Sequence, residues 1–196
     1  MSRTVCSSRR IPWRQWGLSV ALGAALVSLS GLAAAEAPAA AELAQQPGAR
    51  AELRDSTGAV VGTATFTEDA TGVHISVVVQ GLPPGEHGIH LHAVGRCDPP
   101  DFMSAGGHYN PGGRLHGLMN LQGPHEGDLP NLFVGADGTA TYQVYNPRVT
   151  LQVGAANSLF TADGTALVIH ADPDDYITDP AGNSGARIAC GVIVRE

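Results

Sequence analysis

The chain has 196 residues, with eighteen acids against eleven bases and a formal net charge of −7, and every base is an arginine. Without lysine, and with no basic cluster beyond the N-terminus, a basic patch for nucleic acid or anionic lipid is excluded. An acidic surface favours solubility and specifies no partner.

Residues 1–16, MSRTVCSSRRIPWRQW, carry four arginines and no acid, and residues 17–35, GLSVALGAALVSLSGLAAA, are apolar and small. Ala33-Ala34-Ala35 then fits a small-x-small cleavage site, which completes the three-part pattern of an export signal. The apolar run is nearly long enough to span a bilayer. Its Gly, Ser and Ala make it weakly hydrophobic, so cleavage is expected rather than a membrane anchor, and no cysteine follows it to carry a lipid. Ser8-Arg9-Arg10 raises twin-arginine export. Pro12 departs from that pattern and adjacent arginines are ordinary in export signals, so the Sec and twin-arginine routes both stay open. Residues 36–47, EAPAAAELAQQP, read as a low-complexity linker.

The expected folded domain is 48–196, enough for one core. It follows all four N-terminal arginines and keeps seven, while all eighteen acids lie beyond residue 35, so the exported chain carries a net charge of −11. Cys6 leaves with the signal. Cys97 and Cys190 remain, and two cysteines in an exported domain read as one disulfide.

From Ala49 onward strand-like runs alternate with Gly and Asp turns. ARAELRD ends at STG, AVVGTATFTED at ATG, and VHISVVVQ at GLPPG. EHGIHLHAVG, NLFV, TATYQVY, ADGTALVIHA and ARIACGVIVR follow. Val73, Ile75, Val77 and Val79 share one face of their strand. No helical period appears after residue 48. Short strands with turns every eight to twelve residues predict an all-β fold, a sandwich or barrel of about eight antiparallel strands. Residues 93–131 and 171–186 break the rhythm. They are long, rich in Gly, Pro, Asp and Asn, and such loops inside a compact domain are usually functional or disordered.

Gly88-Ile89-His90-Leu91-His92 puts two imidazoles on one strand face, about 7 Å apart. Alone, His-x-His is weak evidence for a metal. A metallo-β-lactamase-type site needs an acid where Val94 stands, and an amidohydrolase barrel needs a longer chain. The whole set says more. His108 lies in SAGGHYNP, His116 eight residues on, His125 and Asp128 in HEGD, and His170 at the end of ALVIH. Three histidines and an aspartate make a closed tetrahedral set suited to Zn²⁺. Four imidazoles suit Cu²⁺. The two sets can share one imidazole.

GEHGIHLHAVGRC, SAGGHYNP, GPHEGDLPNL, LVIHADPDD and GNSGARIACGVI together resemble the copper/zinc superoxide dismutase family, over essentially residues 48–196. The resemblance implies a Greek-key β-barrel. It implies copper on His90, His92, His108 and His170, and zinc on His108, His116, His125 and Asp128, with His108 as a deprotonated bridge. Asp174 matches the carboxylate that hydrogen-bonds one ligand of each metal, with Asp172 and Asp175 as near competitors. Arg187 matches the cation beside the copper, and Cys97–Cys190 the disulfide tying the ligand loop to the last strand. The implied reaction converts superoxide to oxygen and hydrogen peroxide by cycling of copper, with His108 carrying a proton and Arg187 holding the anion. An exported, periplasmic or extracellular enzyme is expected, as a monomer or a homodimer. A metal-binding module on the same fold is the rival; it would lack a copper ligand or Arg187, and this chain keeps both. The 171–186 loop is short and has no lysine, so substrate guidance by lysine there is absent. His74 reads as a surface residue and His87 as a packing residue.

Overall fold

The computed structural model describes residues 48–196; the expected signal (1–35) and linker (36–47) lie outside the described residues. Ten strands, all paired antiparallel, form the domain, with one short 3₁₀ turn at Met103–Ala105 and no α-helix among the described residues. β1 (Ala49–Asp55), β2 (Val60–Asp69) and β3 (Gly72–Val79) form a meander, and β7 (Ala140–Asn146) pairs beyond β3. On the other side of β1 come β9 (Arg187–Val192), β8 (Ala166–His170) and β5 (Ile89–His92). β10 (Val194–Arg195) continues along β1, and β4 (Gly85–His87) pairs with β6 (Leu132–Val134).

Alternation explains the core. Val73, Ile75, Val77 and Val79 all point inward from β3, opposite the outward His74, Ser76 and Val78, as a half-buried strand requires. β1 contributes Ala49, Ala51 and Leu53, and β2 contributes Phe66 and Ala64. The register slips between Leu53 and Arg54, which pair with Gly62 and Val60, so Val61 is an inserted residue that turns inward.

β5 and β8 differ from the rest because both their faces are buried. Ile89, Leu91, Leu167 and Ile169 enter the main core. Ala166 and Val168 instead meet Phe102, Ala105, Cys97 and Cys190, a second apolar cluster that fastens the 93–131 loop over the barrel wall. The Cys97–Cys190 disulfide sits in that cluster.

One expected strand, 86–95, is broken. Gly88 donates to Asp172 O and accepts from His170 N, each at 2.8 Å, so the chain leaves β6 and joins β8 at this residue. A side chain there would come within 2.8 Å of Ser184 Cβ.

Candidate metal centre

β5 carries His90 and His92 on its outer face, and β8 ends on His170, whose strand neighbour across β9 is Arg187. The 93–131 loop brings the remaining histidines back. Tyr109 N donates to Leu91 O (2.8 Å), Leu91 N to Gly127 O (2.9 Å) and Gly127 N to Tyr109 O (2.8 Å), so loop backbone lies alongside β5. Gly127 permits this approach, since a Cβ there would lie 2.3 Å from Leu91 O. The result pairs His92 with His108 and His90 with Asp128 as isolated bridges.

Two groups of donors follow. His90, His92, His108 and His170 each offer one nitrogen, all within 4.8 Å of one another, and so do His108, His116, His125 and Asp128 with their own donor atoms; all are buried. His108 belongs to both. Its ring stacks on His90 at a centroid distance of 3.9 Å.

Hydrogen bonds to the outer nitrogen fix which atom faces inward. His92 Nδ1 engages Gly106 O at 2.9 Å, and His90 Nε2 engages Asp174 Oδ2 at 2.7 Å. His170 Nδ1 lies 3.4 Å from Gly185 O. This leaves His90 Nδ1, His92 Nε2, His108 Nε2 and His170 Nε2 buried without a hydrogen-bond partner. Four unpartnered buried nitrogens from one group are costly unless something accepts their lone pairs. A copper ion does, and the nitrogen donor set suits it.

The second group centres on one oxygen. Asp128 Oδ2 accepts from the backbone amides of Gly117 and His125, both at 2.9 Å. Oδ1 then faces three imidazoles: His108 Nδ1 at 2.9 Å, His116 Nδ1 at 3.1 Å and His125 Nδ1 at 3.2 Å, the last without hydrogen-bond alignment. Three ring nitrogens exceed what one carboxylate oxygen accepts well. Three histidines and a monodentate carboxylate fit zinc.

Asp174 joins the groups. Its Oδ2 meets His90 and its Oδ1 meets His116 Nε2 at 3.0 Å. Asp172 and Asp175 are exposed, and Asp175 accepts from Ile177, Thr178 and Asn183 instead. Asn131 holds Asp174 by both backbone groups, at 2.9 and 3.0 Å. Gly182, at φ 62, makes room: a Cβ would sit 1.8 Å from Asp174 Oδ1. Asn131 and the Gly106 carbonyl carry no signal in the sequence, because their roles depend on backbone contacts between distant loops.

Electrostatics separates the groups. Burial holds His90 and His92 below the ordinary imidazole range and brings His108 to about 4 and His170 to about 3, so these rings are neutral at pH 7 in the metal-free protein. His116 goes the other way. Burial lowers it, but the carboxylates of Asp128 and Asp174 outweigh burial and raise it to about 9. Asp128 and Asp174 stay well below the usual carboxylate range, because their histidine partners outweigh the burial that would raise them.

Arg187 reaches over the four-histidine group's edge. It donates to Phe102 O (2.7 Å) and Gly106 O (2.6 Å), and lines a surface hollow with Asp101, Met103 and Gly185. His87 lies outside both groups, its ring nitrogens each 2.8 Å from a carbonyl, of His170 and Pro83. His74 pairs with Asp69 on the surface.

An antiparallel β-barrel carrying a four-histidine group and a three-histidine, one-aspartate group that share a ring defines a two-metal protein. The chain belongs to the copper/zinc superoxide dismutase family, oxidoreductases that use both metals; the family model described as copper/zinc superoxide dismutase (SODC) matches residues 60–193. It is 53% identical over 154 residues to Superoxide dismutase [Cu-Zn] 2 of Aquifex aeolicus, covering 78% of this chain and 90% of that one. Superoxide dismutase [Cu-Zn] of Caulobacter vibrioides is 45% identical, over 74% and 84% of the two chains. The crystal structure of a superoxide dismutase-like protein from Bacillus subtilis superposes with a TM-score of 0.72 at 41% identity, covering 74% of this chain and 97% of that one.

Proposed function

We propose that residues 48–196 form an exported superoxide dismutase. His90, His92, His108 and His170 hold copper, His108, His116, His125 and Asp128 hold zinc, and His108 bridges the two. The observation that carries this reading is the convergence of four unpartnered buried nitrogens in one group, with His108 pointing its other nitrogen into the second.

When bound, copper supplies the one-electron chemistry that turns two superoxide anions and two protons into oxygen and hydrogen peroxide, beside a redox-inert zinc. His108 Nε2, unpartnered while Nδ1 faces Asp128 in the other group, is the protein atom assigned to take up and return a proton. Asp174 fixes His90 and His116 in one tautomer each. Arg187 supplies local positive charge for an anion approaching the exported chain, residues 36–196, which carries seven arginines and eighteen acids. Gly106 and Phe102 hold its guanidinium in place.

The pattern of residues 1–35 supports export, to the periplasm or the extracellular space, and the Cys97–Cys190 disulfide suits an oxidising compartment. No helix among the described residues is long and apolar enough to cross a membrane. The acidic composition offers nothing to nucleic acid. A homodimer is an outcome that sedimentation would decide.

Purified exported protein should hold about one copper and one zinc per chain, from the two four-donor groups, and remove superoxide in a stopped-flow assay. Full metal content without superoxide removal would make it a metal-binding module instead.

A further inference from the structure

Residues 125–128 supply two donors of the zinc group within one tight turn, and the turn's three following carbonyls are each claimed from a different direction. Asn146 Nδ2 donates to Glu126 O at 2.8 Å. Leu91 N donates to Gly127 O. Arg148 donates through Nη2 to Asp128 O at 2.5 Å. Two of these three clamps come from one stretch of chain, the end of β7 and the residues after it. That stretch is itself braced. Asn146 Oδ1 accepts from Arg148 N at 3.0 Å, and Asn157 Nδ2 donates to Arg148 O at 2.9 Å.

The Arg148 side chain is not explained by packing. It is half-buried, and its Nε is buried with no acceptor. An apolar side chain would occupy the space without that penalty. Its one directed bond goes to the main chain of the residue whose carboxylate must meet three imidazoles. An aspartate side chain is short, so its oxygen goes where its backbone is held.

We infer that Arg148 is a positioning residue for the zinc group: by clamping the Asp128 carbonyl it sets the carboxylate, and thereby the affinity for zinc. The inference rests on the zinc assignment made above. Copper content should be spared, because three of the four histidines in its group, His90, His92 and His170, lie on β5 and β8, which Arg148 does not contact through any hydrogen bond in the structure; only His108, shared with the zinc group, couples the two.

The test is chelator competition on the purified holoprotein, reading zinc and copper separately by elemental analysis. Wild type holding one zinc establishes the assignment independently of the variant. Arg148→Met keeps a long stem and removes the donor, and should weaken zinc by about 10- to 100-fold, the range for lost support of a metal ligand. Arg148→Lys, which can still donate to the carbonyl, should recover most of that loss. Copper content should be unchanged in both, and with zinc added to saturation the visible spectrum of copper should match wild type. Zinc affinity within about twofold of wild type in Arg148→Met would overturn the inference, and so would equal loss of both metals, which marks a general loosening of the fold. If Arg148→Met cannot be recovered folded, Asn157→Ala releases the arginine's backbone without touching the turn. The same zinc-selective loss is expected there, and its absence is equally decisive against the inference.

Discussion

His92 and Arg187 meet at a single atom. The Gly106 carbonyl accepts from His92 Nδ1 at 2.9 Å and from Arg187 Nη2 at 2.6 Å. One loop carbonyl therefore orients an inner donor of the four-histidine group and anchors the cation at its edge. The distance between the guanidinium and the proposed copper ligand is thereby set through one backbone carbonyl.

Arg187→Ala should lower kcat/KM for superoxide by roughly 10- to 100-fold, the scale of electrostatic focusing. Copper should stay bound, since arginine is not a ligand. Arg187→Lys should be milder and Arg187→Glu worse. Added salt should slow wild type more than the Ala variant, because screening then has less to remove. Full activity in all three variants at low salt, with copper bound, would reduce Arg187 to a brace for Phe102 and Gly106.

Asp174 touches one histidine of each group, so its loss should be felt twice. Asp174→Ala should weaken copper and zinc alike, by about 10- to 100-fold each. Asp172→Ala and Asp175→Ala should change neither, as both carboxylates are exposed. Gly182→Ala should reproduce the Asp174 phenotype, because its Cβ would overlap Oδ1 and its φ of 62 disfavours any side chain. Equilibrium dialysis against both metals separates these cases.

Proton counting tests the shared ring. Below about pH 9 the metal-free protein carries a proton on His116, which zinc must displace. Zinc binding at pH 7 should therefore release a proton from this residue, and affinity should fall as pH falls from 9. His108 and His170 titrate only near 4 and 3, so copper affinity should not weaken through them until those values are approached. A neutral His108 still has one N–H. If it bridges, binding the second metal must release that proton too. Calorimetry in buffers of different ionisation enthalpy should find one more proton for both metals together than for the two bound singly; a strictly additive count would argue against the bridge.

The disulfide spans 93 residues of sequence. The chain-entropy account assigns such a loop about 4–5 kcal/mol, reduced by structure in the unfolded chain. Cys97→Ser should therefore cost a few kcal/mol in urea unfolding. Amide exchange should quicken first in residues 98–106, which include Phe102 and Ala105 of the cluster around Cys190. Two free thiols in the exported protein, seen by intact mass, would contradict the structural role.

Most strands were legible because their side chains obey a period of two: β1 and β3 match the alternating runs residue for residue or nearly so. The break at Gly88 was not, since it depends on Asp172 and Ser184, far along the chain. Residues 147–161 fall between the predicted strand runs and form no strand, yet bury Val149 and Leu159 against the core. Metal-binding residue types stand out in sequence because histidine is scarce. What holds them does not: the carbonyls of Gly106 and Gly127 and the amides of Gly117 and His125 act through the main chain, where residue identity leaves little mark. Asp174 could be singled out from Asp172 and Asp175 only by resemblance, and it is burial that distinguishes it in three dimensions.

Three of the four copper-group histidines sit on barrel strands, whereas every zinc-group residue sits on the 93–131 loop. On the proposed assignment the two halves should therefore mature differently. A barrel folded without metal already presents His90, His92 and His170, but it receives its fourth imidazole only when the loop settles. Bound zinc, by gathering His116, His125 and Asp128, would hold the loop segment that carries His108. The redox-inert ion would thus act as a licence: it would govern whether the electron-transferring site is complete, and a chain starved of zinc is expected to bind copper with an open coordination position.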